Sequence, residues 1–120
     1  MNTILKIEEA AVLAISIFFL TTLNLHIYWW LWPVLFLLPD ISMLGYLGGP
    51  QLGAFTYNLF HHKAVAVAVI IVGYLLHNDY LLLTGWLLLG HSSFDRMLGY
   101  GLKYNDSFSH THLGMIGKRN

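Results

Sequence analysis

The sequence predicts an all-α fold, a four-helix transmembrane bundle with both termini on the same side of the membrane. Three observations lead there. Only 10% of the 120 residues are charged and 57% are hydrophobic, with a mean hydropathy of +0.61, whereas a soluble domain carries about 25% charged residues. Residues 10–39 contain no Lys, Arg, Asp or Glu. As one straight helix that stretch would run about 45 Å, longer than a hydrocarbon core of about 30 Å, so it must fold into two passes. Two further apolar stretches follow, each bounded by turn residues.

The first helix is expected over residues 4–23. The break follows at Asn24-Leu25-His26, ahead of Tyr28, Trp29, Trp30 and Trp32, a cluster that suits the membrane–water interface. The second helix spans 28–47, and Pro39 kinks it because proline lacks an N–H. Gly48-Gly49-Pro50 ends it and starts the next, glycine after a helix and proline at the first helical position. The third helix spans 50–76; its second half is uncharged and rich in Val, Ile and Ala. His77-Asn78-Asp79 is the next turn, with Asp79 as N-cap, and the fourth helix spans 80–102. Residues 1–104 thus form the transmembrane domain and 105–120 a polar tail.

Lys6, Lys103, Lys118 and Arg119 place both ends in the cytoplasm, which makes the chain a multi-pass protein of the inner (cytoplasmic) membrane. Glu8 and Glu9 precede the apolar run, and no small-residue cleavage site follows, so no secretory signal is expected. Six Lys and Arg balance six Asp and Glu. Without a basic surplus, nucleic acid is excluded as a partner on bulk electrostatics. With no cysteine there is no disulfide and no thiolate site.

Three polar clusters interrupt the predicted helices: Pro39-Asp40, Tyr57-Asn58-x-x-His61-His62-Lys63, and His91-x-x-x-Asp95-Arg96. An ionisable group inside a bilayer costs about 2.5–3.5 kcal/mol on translocon scales, so these groups need one another, water or a metal. At ~1.5 Å per residue, Asp40 and Asp95 lie about 10 Å, and His61 and His91 about 15 Å, from the cytoplasmic ends of their helices. His91 and Asp95 are four apart and share a helical face. Imidazole with carboxylate is the donor chemistry of Zn, Mn or Fe, and inward Asp, Glu and His on several helices of a bundle build such sites.

Asp40, His61, His91 and Asp95 are therefore the candidate metal ligands and catalytic residues, with a divalent metal as cofactor. Other readings of the same residues stand beside this one. Asp40 accepting from His61, and Asp95 pairing with a Lys or Arg, make a purely structural network. A proton path, or a haem held by His61 and His91, would also use them. Tyr57 and Asn58 are candidate supporting donors. Arg96 and Lys103 suit an anionic lipid headgroup or phosphorylated substrate, or snorkel to lipid phosphates. His62 faces away from His61 or backs it, and His26 and His77 belong to the outer surface. Gly45-x-x-x-Gly49 permits close helix approach or ends the second helix. The 108–113 stretch can fold back over the site with His110 or His112.

Specific runs then carry a resemblance. Pro39-Asp40-Ile41-Ser42-Met43-Leu44-Gly45-Tyr46, Gly49-Pro50-Gln51-Leu52-Gly53-Ala54, Tyr57-Asn58-x-x-His61, His91-x-x-x-Asp95-Arg96-Met97-Leu98-Gly99-Tyr100-Gly101-Leu102-Lys103-Tyr104 and Thr111-His112-Leu113-Gly114 resemble the bacterial domain-of-unknown-function family 4260, small multi-helix membrane proteins, over nearly the whole chain. That resemblance implies no established activity. It does imply a glutamate at the position of Glu8, which would reach the same slab from the first helix, although an acid in a first turn is also favoured by the helix dipole. A looser likeness is to inner-membrane metal-dependent hydrolases, which show Pro-Asp, then His, then His-x-x-x-Asp in this order. Their His-Arg-x-x-Thr-His-Ser element is replaced here by Tyr57-Asn58-x-x-His61. The expectation is a metal-dependent hydrolase working near the cytoplasmic interface; the alternative is a non-enzymatic membrane protein.

Overall fold

Proline, glycine and one histidine decide where the helices break. A computed structural model describes residues 3–99, 110–111 and 113–115. Helix α1 covers Thr3–Thr21, and α2 covers Leu31–Leu37. A 3-10 helix continues directly over Leu38–Gly48. Helix α3 is Pro50–His61, α4 is Lys63–Leu75 and α5 is Asp79–Met97. Strands β1 (His110–Thr111) and β2 (Gly114–Met115) pair as a minimal antiparallel hairpin.

The packing alternates in direction. On α1 and α5, Phe19 stacks on Trp86 at 4.6 Å and Ser16 lies against Gly90, so the two run antiparallel. On α4 and α5, Gly73 faces Leu82 while Gly85 faces Ile70, again antiparallel. The 3-10 helix and α3 oppose each other: Gly45 lies against Thr56, Gly53 against the Tyr46 ring, and the Thr56 hydroxyl donates to the Ser42 carbonyl at 2.8 Å. Four segments, α1, α2 with the 3-10 helix, α3 with α4, and α5, therefore run up, down, up, down. Glycine at 45 and 53 is what lets two backbones come this close, since a Cβ at either would overlap its neighbour.

Several boundaries differ from those expected. The second helix does not kink at Pro39; it tightens to 3-10 from Leu38 onward. The third helix is two helices bent by 47°. His62 is extended (φ −87°, ψ 123°), and its Nδ1 accepts from the Ala64 amide at 3.1 Å, an N-cap that begins α4 anew. The cap of α5 is Asn78, whose side chain accepts from Tyr80 and Leu81, and Asp79 is already helical. α5 ends at Met97 rather than residue 102 because Gly99 turns left-handed (φ 90°). Gly49 (φ 112°) terminates the 3-10 helix and Pro50 opens α3, as expected.

Among the described residues, one helical stretch, Leu31–Gly48, is long and apolar enough to cross a bilayer, and the bent pair α3–α4 is a second if counted as one span. α1 carries Lys6, Glu8 and Glu9, and α5 turns His91, Ser92, Ser93 and Asp95 inward, where all are buried. Outward, the helices expose large apolar chains, among them Phe18, Leu47, Phe55 and Leu75.

Candidate metal centre

Pro39 prepares the first ligand. In the 3-10 register that Leu38 begins by donating to the Leu35 carbonyl, the donor to the Phe36 carbonyl would be residue 39. That residue is proline and has no N–H. The freed Phe36 carbonyl accepts instead from Nδ1 of His91 at 2.6 Å. The break at His62 does comparable work on the other side. It leaves the His61 carbonyl available, which accepts from the Ser92 hydroxyl at 2.8 Å and from Nη2 of Arg96 at 3.5 Å. His61 turns its own Nδ1 to the Tyr57 carbonyl at 2.9 Å.

A carbonyl can only accept, so in both histidines Nδ1 carries the proton and Nε2 is the atom left to face the centre. Nε2 of His61 lies 3.3 Å from Oδ1 of Asp40 and 3.2 Å from Oδ2 of Asp95. Nε2 of His91 lies 3.0 Å from Oδ1 of Asp40 and 3.3 Å from Oδ2 of Asp95. Nitrogen and oxygen thus alternate round a closed ring, and the four atoms all lie within 4.8 Å of one another. Ligand atoms about 2.1 Å from a metal stand roughly 3.0–3.4 Å apart at angles between octahedral and tetrahedral, so a buried Asp/His/His/Asp group able to hold a metal is present. In the neutral tautomer, each unprotonated Nε2 would face two carboxylate oxygens with no hydrogen between them, and a dication resolves that repulsion.

His61 and His91 are 2% and 1% exposed, and Asp95 is also buried; the Asp40 side chain is the open edge at 35%. Asp40 borders a groove of about 500 Å³ lined by Leu37, Ile41, Met43, Leu44, Tyr46 and Leu47. Tyr57 stacks on His61 with centroids 3.9 Å apart and donates its hydroxyl to Oδ2 of Asp95 at 3.3 Å. It therefore orients both residues from one position.

The remaining candidates distribute unevenly. Asn58 lines a different cavity with Gln51, Phe55 and His62. His62 is exposed and caps α4, and His26 and His77 are exposed. Arg96 is half-buried with its guanidinium directed at the His61 carbonyl. Glu8 is exposed; the acid that α1 turns inward is Glu9, which forms an ion pair with Lys63 at the start of α4. Lys103 and His112 lie outside the described residues. The haem reading has no room: the His61 and His91 rings stand 4.9 Å apart at 65°, and Tyr57 already covers the face of His61.

Sequence reasoning missed Phe36, Ser92 and the Glu9–Lys63 pair. Phe36 had a signal, its place three residues before a proline. Ser92 had none, since a serine beside a histidine carries no information about a distant carbonyl.

No curated protein and no solved structure matches the chain. A family model does match, over residues 2–116, and on that extent the chain belongs to the family described as Domain of unknown function (DUF4260).

Proposed function

We propose that this protein is a four-pass membrane protein whose Asp40, His61, His91 and Asp95 hold one divalent cation, Zn, Mn or Fe, used for hydrolysis near the cytoplasmic interface. The observation that carries the metal reading is the ring of Nε2 and carboxylate oxygens at 3.0–3.3 Å, with both Nδ1 atoms committed to main-chain carbonyls. Such an arrangement presents two lone pairs and two negative charges to one point. A cation bound there lowers the pKa of water and polarises a phosphoryl or acyl oxygen. Asp40, at the open edge, is where water and substrate would arrive. Tyr57 holds Asp95 and His61 in place.

Membrane insertion is supported by lengths. α1 and α5 have 19 residues each, about 28 Å at helical rise. α2 with the 3-10 helix has 7 and 11 residues, roughly 32 Å. These match a hydrocarbon core of about 30 Å, and the exposed apolar side chains are those a bilayer accepts.

The experiment is purification from membranes without chelator, followed by metal analysis and by assay on p-nitrophenyl acyl and phosphate esters. The expected result is about one Zn, Mn or Fe per chain, hydrolysis abolished by chelator, and both lost in Asp95→Asn, with melting of the two proteins compared in chelator because metal itself stabilises the fold. A protein that takes up no metal even when loaded, yet melts far lower as Asp95→Asn, is held together by a structural ion-pair network and is not this enzyme. A protein extracted from membranes by alkaline carbonate is not a four-pass protein.

A further inference from the structure

The four candidate ligands come from two bodies. Residues 38–61, the 3-10 helix and α3, close on each other as a hairpin through Gly45 against Thr56, Gly53 against Tyr46 and the Thr56 hydroxyl on the Ser42 carbonyl. The other body is the bundle of α1, α2, α4 and α5. Its apolar core is built on Leu20, Ala66, Ile70, Leu82 and Trp86, with Phe36 packed against them, and among the described residues it takes none from 38–61. The hairpin supplies Asp40 and His61, and the bundle supplies His91 and Asp95, so each body brings one carboxylate and one imidazole. Across the boundary, Nε2 of His61 stands 3.2 Å from Oδ2 of Asp95 and Nε2 of His91 stands 3.0 Å from Oδ1 of Asp40. The Tyr57 hydroxyl on Asp95 and the Ser92 hydroxyl on the His61 carbonyl cross at the same place.

The backbone changes conformation at both points where the hairpin meets the bundle. On one side the α-helix gives way to 3-10 between Leu37 and Leu38. On the other, His62 is extended and α3 meets α4 at a 47° bend. A 3-10 stretch within a helix and residues at element ends are where hinges form.

We infer that the cation is a latch: bound, it holds the hairpin against the bundle, and removed, it lets residues 38–61 swing on Leu37–Leu38 and His62. This rests on the metal reading of the centre and not on its hydrolytic use. Both Nδ1 atoms donate to main-chain carbonyls, so two Nε2 lone pairs meet two carboxylate oxygens, and in a buried site these repel. A dication turns that repulsion into four bonds to one point. Because the full ligand set exists only in the closed arrangement, the ion shifts the equilibrium toward it. Without the ion, separation of the bodies admits water to the same polar groups and removes the cost of burying them unpaired.

The chain has no cysteine, so spin labels can be placed on introduced pairs. Leu47→Cys at the exposed hairpin tip with Leu75→Cys at the exposed end of α4 spans the boundary, and Phe18→Cys with Leu75→Cys lies within the bundle. The full-length protein in detergent is measured by double electron–electron resonance with Zn and with chelator, and Zn content is determined on the same samples. α3 has 12 residues, about 18 Å, so a swing of about 20° moves its tip about 6 Å. The expected result is one narrow 47–75 distance with Zn, a spread wider by about that 6 Å in chelator, and an unchanged 18–75 distance. Asp40→Asn removes one hairpin ligand and should raise the Zn concentration giving half the change by about tenfold or more, since even supporting residues are worth that much. Zn bound with the 47–75 distance unmoved by chelator overturns the latch and leaves the metal site standing. Broadening of both pairs means general loosening and overturns the latch, as does an unshifted midpoint in Asp40→Asn. A protein that takes up no Zn overturns both the latch and the metal reading.

Discussion

Nδ1 of His91 donates to the main-chain carbonyl of Phe36 across 2.6 Å, linking α5 to the last turn of α2. The bond exists because Pro39 cannot supply the amide that a 3-10 turn would aim at that carbonyl. A residue with no donor thereby sets the tautomer of a histidine 52 positions away in the chain (91 − 39).

Pro39→Ala tests this directly. It restores an N–H that competes for the Phe36 carbonyl, so His91 loses its orienting partner. Supporting partners of metal-bound histidines are worth about 10–100-fold in affinity. Competition should realise the lower end, about tenfold weaker metal binding, measured by chelator competition. Unchanged affinity would show that the Phe36 bond does not orient the ligand.

Tyr57→Phe removes the hydroxyl from Asp95 and keeps the ring stacked on His61. Metal affinity should fall about 10–100-fold, while thermal melting in chelator stays near wild type. A large drop in that melting temperature with metal retained would instead place Tyr57 in a purely structural role.

Glu9 and Lys63 are partly buried, with 16% and 28% of their side-chain surface exposed. They tie α1 to the point where α3 gives way to α4. Glu9→Gln or Lys63→Met alone should cost about 1–3 kcal/mol, between exposed and fully buried pairs. The double variant should cost less than the sum of the two, read from a double-mutant cycle in denaturant. Additive losses would mean that the two charges do not act on each other.

Gly85→Ala probes the α4–α5 contact. A Cβ there would stand 2.5 Å from Cγ1 and 2.9 Å from the backbone nitrogen of Ile70, so two backbones must separate. Overpacking of this kind costs about 1–3 kcal/mol. Melting should fall accordingly with metal stoichiometry unchanged, because Gly85 lies almost two turns from His91. A melting temperature equal to wild type would mean the helices are not packed this closely.

Much of this was legible in the residues themselves. Low charge, an uncharged run over residues 10–39 and turn residues at Gly49-Pro50 and Asn78 dictate an all-helical chain and most of its breaks, because helix ends depend on nearby side chains and backbone freedom. The cost of polar groups in an apolar chain singled out Asp40, His61, His91 and Asp95, and these four do meet. Only the tertiary structure could decide how. The carbonyls left free by Pro39 and by the break at His62 are taken up by His91, Ser92 and Arg96, residues about 30 to 55 positions distant from them. Which of two adjacent glutamates turns inward is likewise a matter of where Lys63 stands. A sequence states what each residue offers, and hydrogen-bond acceptors on the main chain look identical until the fold leaves a particular one without its usual donor.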